Sequence, residues 1–405
     1  MRKILLCMLV AYSTCSTMAN PPGSPLQAGA ATSNITPPLG TLRVGSFVPF
    51  PITHVNDELH ARCLVLDDGE TKLAMVVCDL LGLHRSVSIE ARRLIEAATG
   101  IPPSHVMISA THTHSGGSAL GISRYTNEQE LDDYQRFVAR RIADGVQRAT
   151  NLLRPAEIAF GSIDAPEPLI NRRWFVKEGM GLPNPFGKVE QVSKTGAPSA
   201  KFTKPAGPID PALSFIVLRE PTGRPIAIYS AYSLHYSGGA GEGHASADYF
   251  GFYCAELERL QAASPDGPPV VALMANATSG DIGLNQARYR HVDRIPYGRP
   301  RTVGHELAEK VNAAISQVSW QDHALLDARF REPEMRWRPI EPELLSWAKD
   351  IEATAPRLPE GNLAIGARWP TTAEWATRLS YAGRVQTLAA TTEPAKFPIQ
   401  VLRIG

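Results

Sequence analysis

Residues 106–117 read VMISATHTHSGG, an apolar run that breaks into Thr111, His112, Thr113, His114, Ser115 and a glycine pair. Residues 106–110 have the length and β-branched content of a buried strand, and the polar corner begins where that strand stops. Three other runs end in the same manner. Residues 73–78 (LAMVVC) lead into Asp79, and residues 226–233 (IAIYSAYS) lead into His235, Tyr236 and Gly238-Gly239. Residues 270–274 (VVALM) lead into Asn276 and Thr278-Ser279-Gly280-Asp281. Ligand crevices in open α/β sheets lie outside the carboxyl ends of strands, so these four ends are expected to converge on one site.

Between the strands the apolar period lengthens from two to about 3.6, and residues 88–98, 132–152, 248–261 and 303–316 read as helices. A further strand at 213–218 meets 226–233 through the turn Pro221-Thr222-Gly223-Arg224. Strands alternating with helices predict an α/β fold: mixed β-sheets flanked by helices, in one large catalytic-type domain. No repeat of fixed period is present. Residues 179–208, rich in Gly, Pro, Lys and Ser, read as a long surface excursion. Beyond Asp327 the alternation fades; Trp337, Trp347, Trp369 and Trp375 fall among helical pieces, and residues 398–404 read as a buried strand.

Lys and Arg total 41 against 40 Asp and Glu, interspersed, for a net charge of +1. That balance offers no basic stripe for nucleic acid or anionic membranes, and no run after residue 19 is long and apolar enough to span a bilayer. The first nineteen residues read as a signal peptide: Arg2 and Lys3, an apolar stretch to Tyr12, then Thr17-Met18-Ala19 before a cleavage at Asn20. Cys15 has a poor lead-in for lipid attachment. The mature chain, 20–405, is therefore expected to be periplasmic or secreted. It keeps only Cys63, Cys78 and Cys254, too few and too odd for a disulfide framework. Cys63 and Cys78 sit in apolar runs and read as small buried hydrophobes.

His112 and His114 are two residues apart, a spacing that turns both rings to one side of an extended backbone. Zinc accepts neutral imidazoles at about 2.0–2.1 Å, and its catalytic sites use three protein ligands and a water. Two histidines from one strand end and His235 from another fit that recipe, and the glycine pairs let the backbone turn away. The plain alternative for a single histidine after an apolar run is a hydrogen-bonded core or surface residue, as read for His54, His60, His84, His105, His244, His291, His305 and His323. Asp79 and Asp281 read either as carboxylates orienting a ligating imidazole or as residues closing a strand or capping a helix. Ser279 lacks a nucleophile elbow. Arg172, in Asn171-Arg172-Arg173-Trp174, has the chemistry to clamp a carboxylate or polarise a carbonyl.

Together these motifs resemble the neutral (non-lysosomal) ceramidases in their amino-terminal catalytic domain. Ala28-Gly29-Ala30-Ala31-Thr32-Ser33-Asn34-Ile35-Thr36-Pro37 is similar to the family's opening signature, and His112-Thr113-His114-Ser115-Gly116 to its metal-binding motif. Asn171-Arg172, His235, Ser246-Ala247-Asp248-Tyr249-Phe250-Gly251 and Gly280-Asp281-Ile282 extend the match, in order, over residues 28–310. The resemblance implies that His112 and His235 ligate zinc, that His114 is a catalytic histidine rather than a third ligand, and that Arg172 meets substrate or the oxyanion. It further implies hydrolysis of a lipid-like N-acyl amide, such as an N-acyl sphingoid, by metal-activated water. Two departures stand out. Gly283 occupies the place of a family serine, and the family's remaining zinc ligands, a glutamate and a tyrosine, follow a strand resembling residues 397–405. The expectation is thus of a sequence that continues past Gly405. The competing expectations are a zinc hydrolase of another amide or ester, and an exported protein that binds metal or lipid without catalysis.

Overall fold

Along His60–Asp67 successive side chains enter two different cores: Ala61, Cys63 and Val65 join one, Leu64 and Leu66 the other. A strand buried on both faces needs a layer on each side. The computed structural model, which describes residues 25–45, 50–121, 126–194, 199–262, 267–355 and 373–405, shows what those layers are. The leader and Trp369 lie outside the described residues.

The first half contains β1 (Gln27–Asn34), β2 (His60–Asp67), β3 (Lys72–Cys78), α1 (Arg85–Thr99), β4 (Val106–Ala110), α2 (Asp133–Asn151) and β5 (Arg154–Pro155). The second contains β6 (Glu157–Asp164), β7 (Leu169–Asn171), β8 (Ala212–Arg219), β9 (Pro225–Tyr232), α3 (Asp248–Gln261), β10 (Val271–Asn276), β11 (Ile282–Leu284) and α4 (Gly298–Ile315). One sheet has the order β4-β3-β2-β1-β5 and the other β10-β9-β8-β6. Both are mixed. Every neighbour is antiparallel except β3 with β4 and β9 with β10.

The sheets stack face to face through Leu64, Leu66, Leu73 and Val77 against Ala227, Val271 and Leu273. Helices α1 and α2 cover the outer face of the first through Val87, Ile95, Val138 and Ile142. Helices α3 and α4 cover the second through Tyr249, Tyr253, Leu257, Val303 and Leu307. The mixed sheets flanked by helices are as expected from the sequence; their stacking into helix, sheet, sheet, helix is added by the structure. Cys63 is indeed a small core residue. It lies so close to α2 that a Cβ on Gly145 would sit 2.7 Å from its sulfur. Among the described residues Cys63, Cys78 and Cys254 are free and buried, and no helix is long and apolar enough to cross a membrane.

Parallel pairing brings the carboxyl ends of two strands to the same edge. In register, Cys78 stands beside Ala110 and Tyr232 beside Asn276. The four polar strand ends singled out in the sequence are therefore the ends of the two parallel pairs, one pair per sheet.

A tail follows α4: β12 (Leu326–Arg331), α5 (Pro342–Thr354), α6 (Ala373–Ala390) and β13 (Ile399–Ile404). The expected burial of the last strand does not hold. It pairs with β12 alone, and Ile399 and Val401 are 49% and 60% exposed. Leu402 and Ile404, on its other face, pack against the core between the sheets, so this largely apolar run has one covered face rather than two. Helices α5 and α6 pack on each other through Ala348, Ile351, Ala382 and Val385. Phe186, in the excursion, docks on Trp347 and Tyr381 of these helices with ring centroids 5.0 and 5.5 Å away.

Candidate metal centre

Past the end of β4 the chain stays tied to the segment after β3: Thr111 N donates to Cys78 O at 2.9 Å and His112 N to Leu80 O at 3.0 Å. His112 then takes φ 65°, a left-handed conformation uncommon for a residue with a side chain. The rings of His112 and His114 do come together, with centroids 4.9 Å apart. They do so through this left-handed turn, not through the extended pleat that their spacing predicts. His235, beyond β9, completes the group, with its centroid 4.7 Å from His112 and 5.2 Å from His114. One ligating atom from each of the three lies within 4.8 Å of the others.

The rings are oriented by backbone. His112 Nδ1 is 2.7 Å from Leu81 O, and His235 Nδ1 is 3.0 Å from Ser279 O. A carbonyl only accepts, so each Nδ1 carries a proton, which leaves Nε2 as the ring position suited to a metal. His114 is held differently. Its ring stacks on Tyr236 with centroids 4.0 Å apart and planes 10° from parallel. Its Nε2 is buried with no hydrogen-bond partner. Burial, reinforced by His112 and His235, pushes its pKa down to about 3, so the ring is neutral at ordinary pH. A buried orphan nitrogen calls for a partner. Imidazoles suit a transition ion such as zinc, and the group His112, His114 and His235 fits such an ion.

The corner is braced on every side. Thr113 Oγ1 donates to Ser246 O at 2.9 Å, and Ser246 N to Ser115 O at 2.7 Å. Asp248, at the start of α3, accepts from Ser237 N and Gly238 N, both at 2.9 Å, folding the loop after His235. Arg43 Nε reaches His114 O at 3.3 Å, and Gly45 lies so flat on His114 that a Cβ would come within 2.8 Å of the histidine's Cβ. Neither Arg43 nor Gly45 carries a motif that would have marked it in the sequence.

Residues 276–281, the last residue of β10 and the loop to β11, gather the remaining parts. Asn276 Nδ2 donates to Thr111 O at 2.8 Å. Gly280 O accepts from Arg172 Nη2 at 2.5 Å, and Asp281 O from Arg172 N at 2.8 Å. Asp281 Oδ2 accepts from Asn171 Nδ2 at 2.8 Å. Arg172 is thereby set where its charge acts on His114 and Tyr236, with a buried Nε that has no partner. The carboxylate of Asp281 holds Asn171, the residue before Arg172, rather than an imidazole. Asp79 does not orient a ring through the bonds it makes. Its Oδ2 accepts from His60 N at 3.0 Å and its own N donates to His60 O, which closes the β2–β3 ladder. Burial, which outweighs nearby Arg62, pushes its pKa up to about 7. Helix α1 is capped by His84 instead. His54 and His244 form a separate ring pair 4.6 Å apart.

No protein-family model matches this sequence, and no curated protein matches it. Solved structures do share its fold. Neutral ceramidase from Pseudomonas aeruginosa superposes with a TM-score of 0.59 at 19% identity, over 94% of this chain and 61% of that one. A ceramidase complexed with C2 gives 0.54 at 18% identity, over 79% of this chain and 48% of that one. The chain thus spans about half to three fifths of the length of these two ceramidases. Its fold, over most of its length, is that of the neutral ceramidases.

Proposed function

We propose that this chain is an exported, zinc-dependent amide hydrolase of the ceramidase type, acting on a lipid-like N-acyl amide. One observation carries this: His114 Nε2 and Arg172 Nε are both buried without partners beside the three-imidazole group. Buried polar groups left unmade are costly, and here an acceptor and a cationic donor face the same chemistry. The shared fold supports amide hydrolysis as the reaction class.

Zinc held by His112 and His235 would supply Lewis acidity toward an acyl carbonyl and toward water. The chain's own residues do the rest. Leu81 O and Ser279 O fix the orientation of the two ligating rings. His114, neutral and stacked on Tyr236, takes a proton from the attacking water and hands it to the departing amine. Arg172, anchored by Gly280 O, offers its unspent Nε–H to the oxygen on which negative charge develops.

Gly283 favours a second reading, a zinc hydrolase of a different amide or ester. It pairs with Ile170, and a Cβ there would meet only the stem of Arg172, at 3.4 and 3.7 Å. A serine Cβ would thus be accommodated in ordinary contact with the Arg172 stem, and glycine leaves that position without a hydroxyl.

The test is to purify the protein, measure bound metal, and assay a panel of N-acyl amides and esters beside His112→Ala. One zinc per chain and turnover are expected, both lost in the variant. Unchanged metal content in the variant would refute the site, and zinc without turnover on any substrate would leave a metal-binding protein. The mass of the exported chain checks cleavage before Asn20.

A further inference from the structure

The two histidines that lean on backbone carbonyls belong to different sheets. His112 follows β4 in the first and His235 follows β9 in the second. Strand ladders fix positions within a sheet, whereas the contact between the sheets is mostly through apolar side chains, which are non-directional. Asn276 spans that seam. It closes β10 opposite Tyr232, and its Nδ2 lies 2.8 Å from Thr111 O and 3.4 Å from His235 O. The first of those carbonyls shares a peptide with the nitrogen of His112, the left-handed residue; the second belongs to His235 itself. A carboxamide nitrogen has two protons, and each points at one of the two histidine corners. This arrangement fixes the amide's orientation and strands Oδ1, which is buried with no partner.

We infer, on the metal reading proposed above, that Asn276 is a positioning residue that sets the spacing of His112 and His235 across the sheet–sheet seam. It thereby sets how tightly the imidazoles hold a metal ion. Thr113 and Ser246 brace another side of the corner, but Asn276 touches both histidine segments with one group.

The test is to titrate the metal-free protein with Co2+, following visible absorption, then to displace it with Zn2+. Wild type is compared with Asn276→Ala and Asn276→Leu, the second keeping the side-chain volume. Thermal unfolding of each metal-free protein shows whether it folds. Folded variants are expected to bind both ions roughly 10–100-fold more weakly, with an altered Co2+ spectrum that a purely structural role would not produce. A folded variant with wild-type affinity and spectrum overturns the inference alone, as does failure of both variants to fold. Wild-type protein that binds neither ion removes the metal reading and the inference together.

Discussion

Acid should unfold the metal-free protein in a manner traceable to His114. Folded, its pKa lies at about 3 because of burial and the two neighbouring imidazoles; unfolded, it returns to about 6.5. Between those values the unfolded chain binds a proton that the folded chain refuses. Stability therefore rises with pH across the window and is lost as pH falls through it. One full proton corresponds to about 1.4 kcal/mol per pH unit, so acidification from about pH 7.5 to about pH 4.5, about two units below the unfolded value, would remove about 2.7 kcal/mol. The ring is only partly buried, and solvent screening lowers that to about 1–2 kcal/mol. Against a typical total of about 5–15 kcal/mol this is readily measured. Urea melts with chelator present, from about pH 7.5 to about pH 4.5, should show wild type losing that much more than His114→Gln. Parallel curves for the two proteins would refute the assigned environment of the ring. Saturating zinc should stabilise wild type at neutral pH and lose its effect on acidification, because metal and protons compete for the same nitrogens.

Arg62, on β2, reaches across the seam between the sheets, with Nη1 2.7 Å from Glu258 Oε1 and 3.2 Å from Ala272 O. Arg62→Met should cost about 3 kcal/mol in urea melts by stranding the carboxylate, and Glu258→Gln in the same chain should restore part of it. Arg172→Ala should lower kcat by about 100- to 1,000-fold with metal content intact, the usual cost of losing one oxyanion donor. Arg172→Lys should not recover it, because an ammonium lacks the guanidinium fork held by Gly280 O. Gly283→Ser should fold with less than about 1 kcal/mol lost, since its Cβ meets the Arg172 stem at ordinary contact distance; a larger loss in melts would show that the fold requires glycine there.

Much of the fold was legible because burial and polarity change abruptly at strand ends. The runs closed by Asp79, Thr111, His235 and Asn276 were recognisable one by one, and parallel pairing places them together. Their division between two stacked sheets was not legible. Leu64 and Cys63 are equally apolar, yet one faces a sheet and the other a helix, and alternation between two apolar surroundings leaves no trace in a hydrophobic run. The same limit made residues 398–404 read as buried, although every other side chain of β13 is open. At the site, His112, His114, His235 and Arg172 were legible by side-chain chemistry. Their supports were not, because Leu81, Ser279 and Gly280 act through carbonyls that every residue possesses.

That division also explains where the chain carries backbone strain. Among the described residues the left-handed positions occupied by side-chain-bearing residues are His112, Asp248 and Tyr297, and two of them build this corner. A left-handed non-glycine residue costs of order 1–3 kcal/mol and persists only where its surroundings over-determine it. At His112 they do: its N is bound by Leu80 O, its ring by Leu81 O, and the carbonyl before it by Asn276. Asp248 is fixed by its own carboxylate, which accepts from Ser237 and Gly238 in the loop that follows His235. Glycine at either position would relieve the strain and lose the group that the strain delivers. An imidazole must leave a parallel strand end at a sharp angle to meet one from another sheet, and the left-handed turn supplies that angle where a pleated strand cannot.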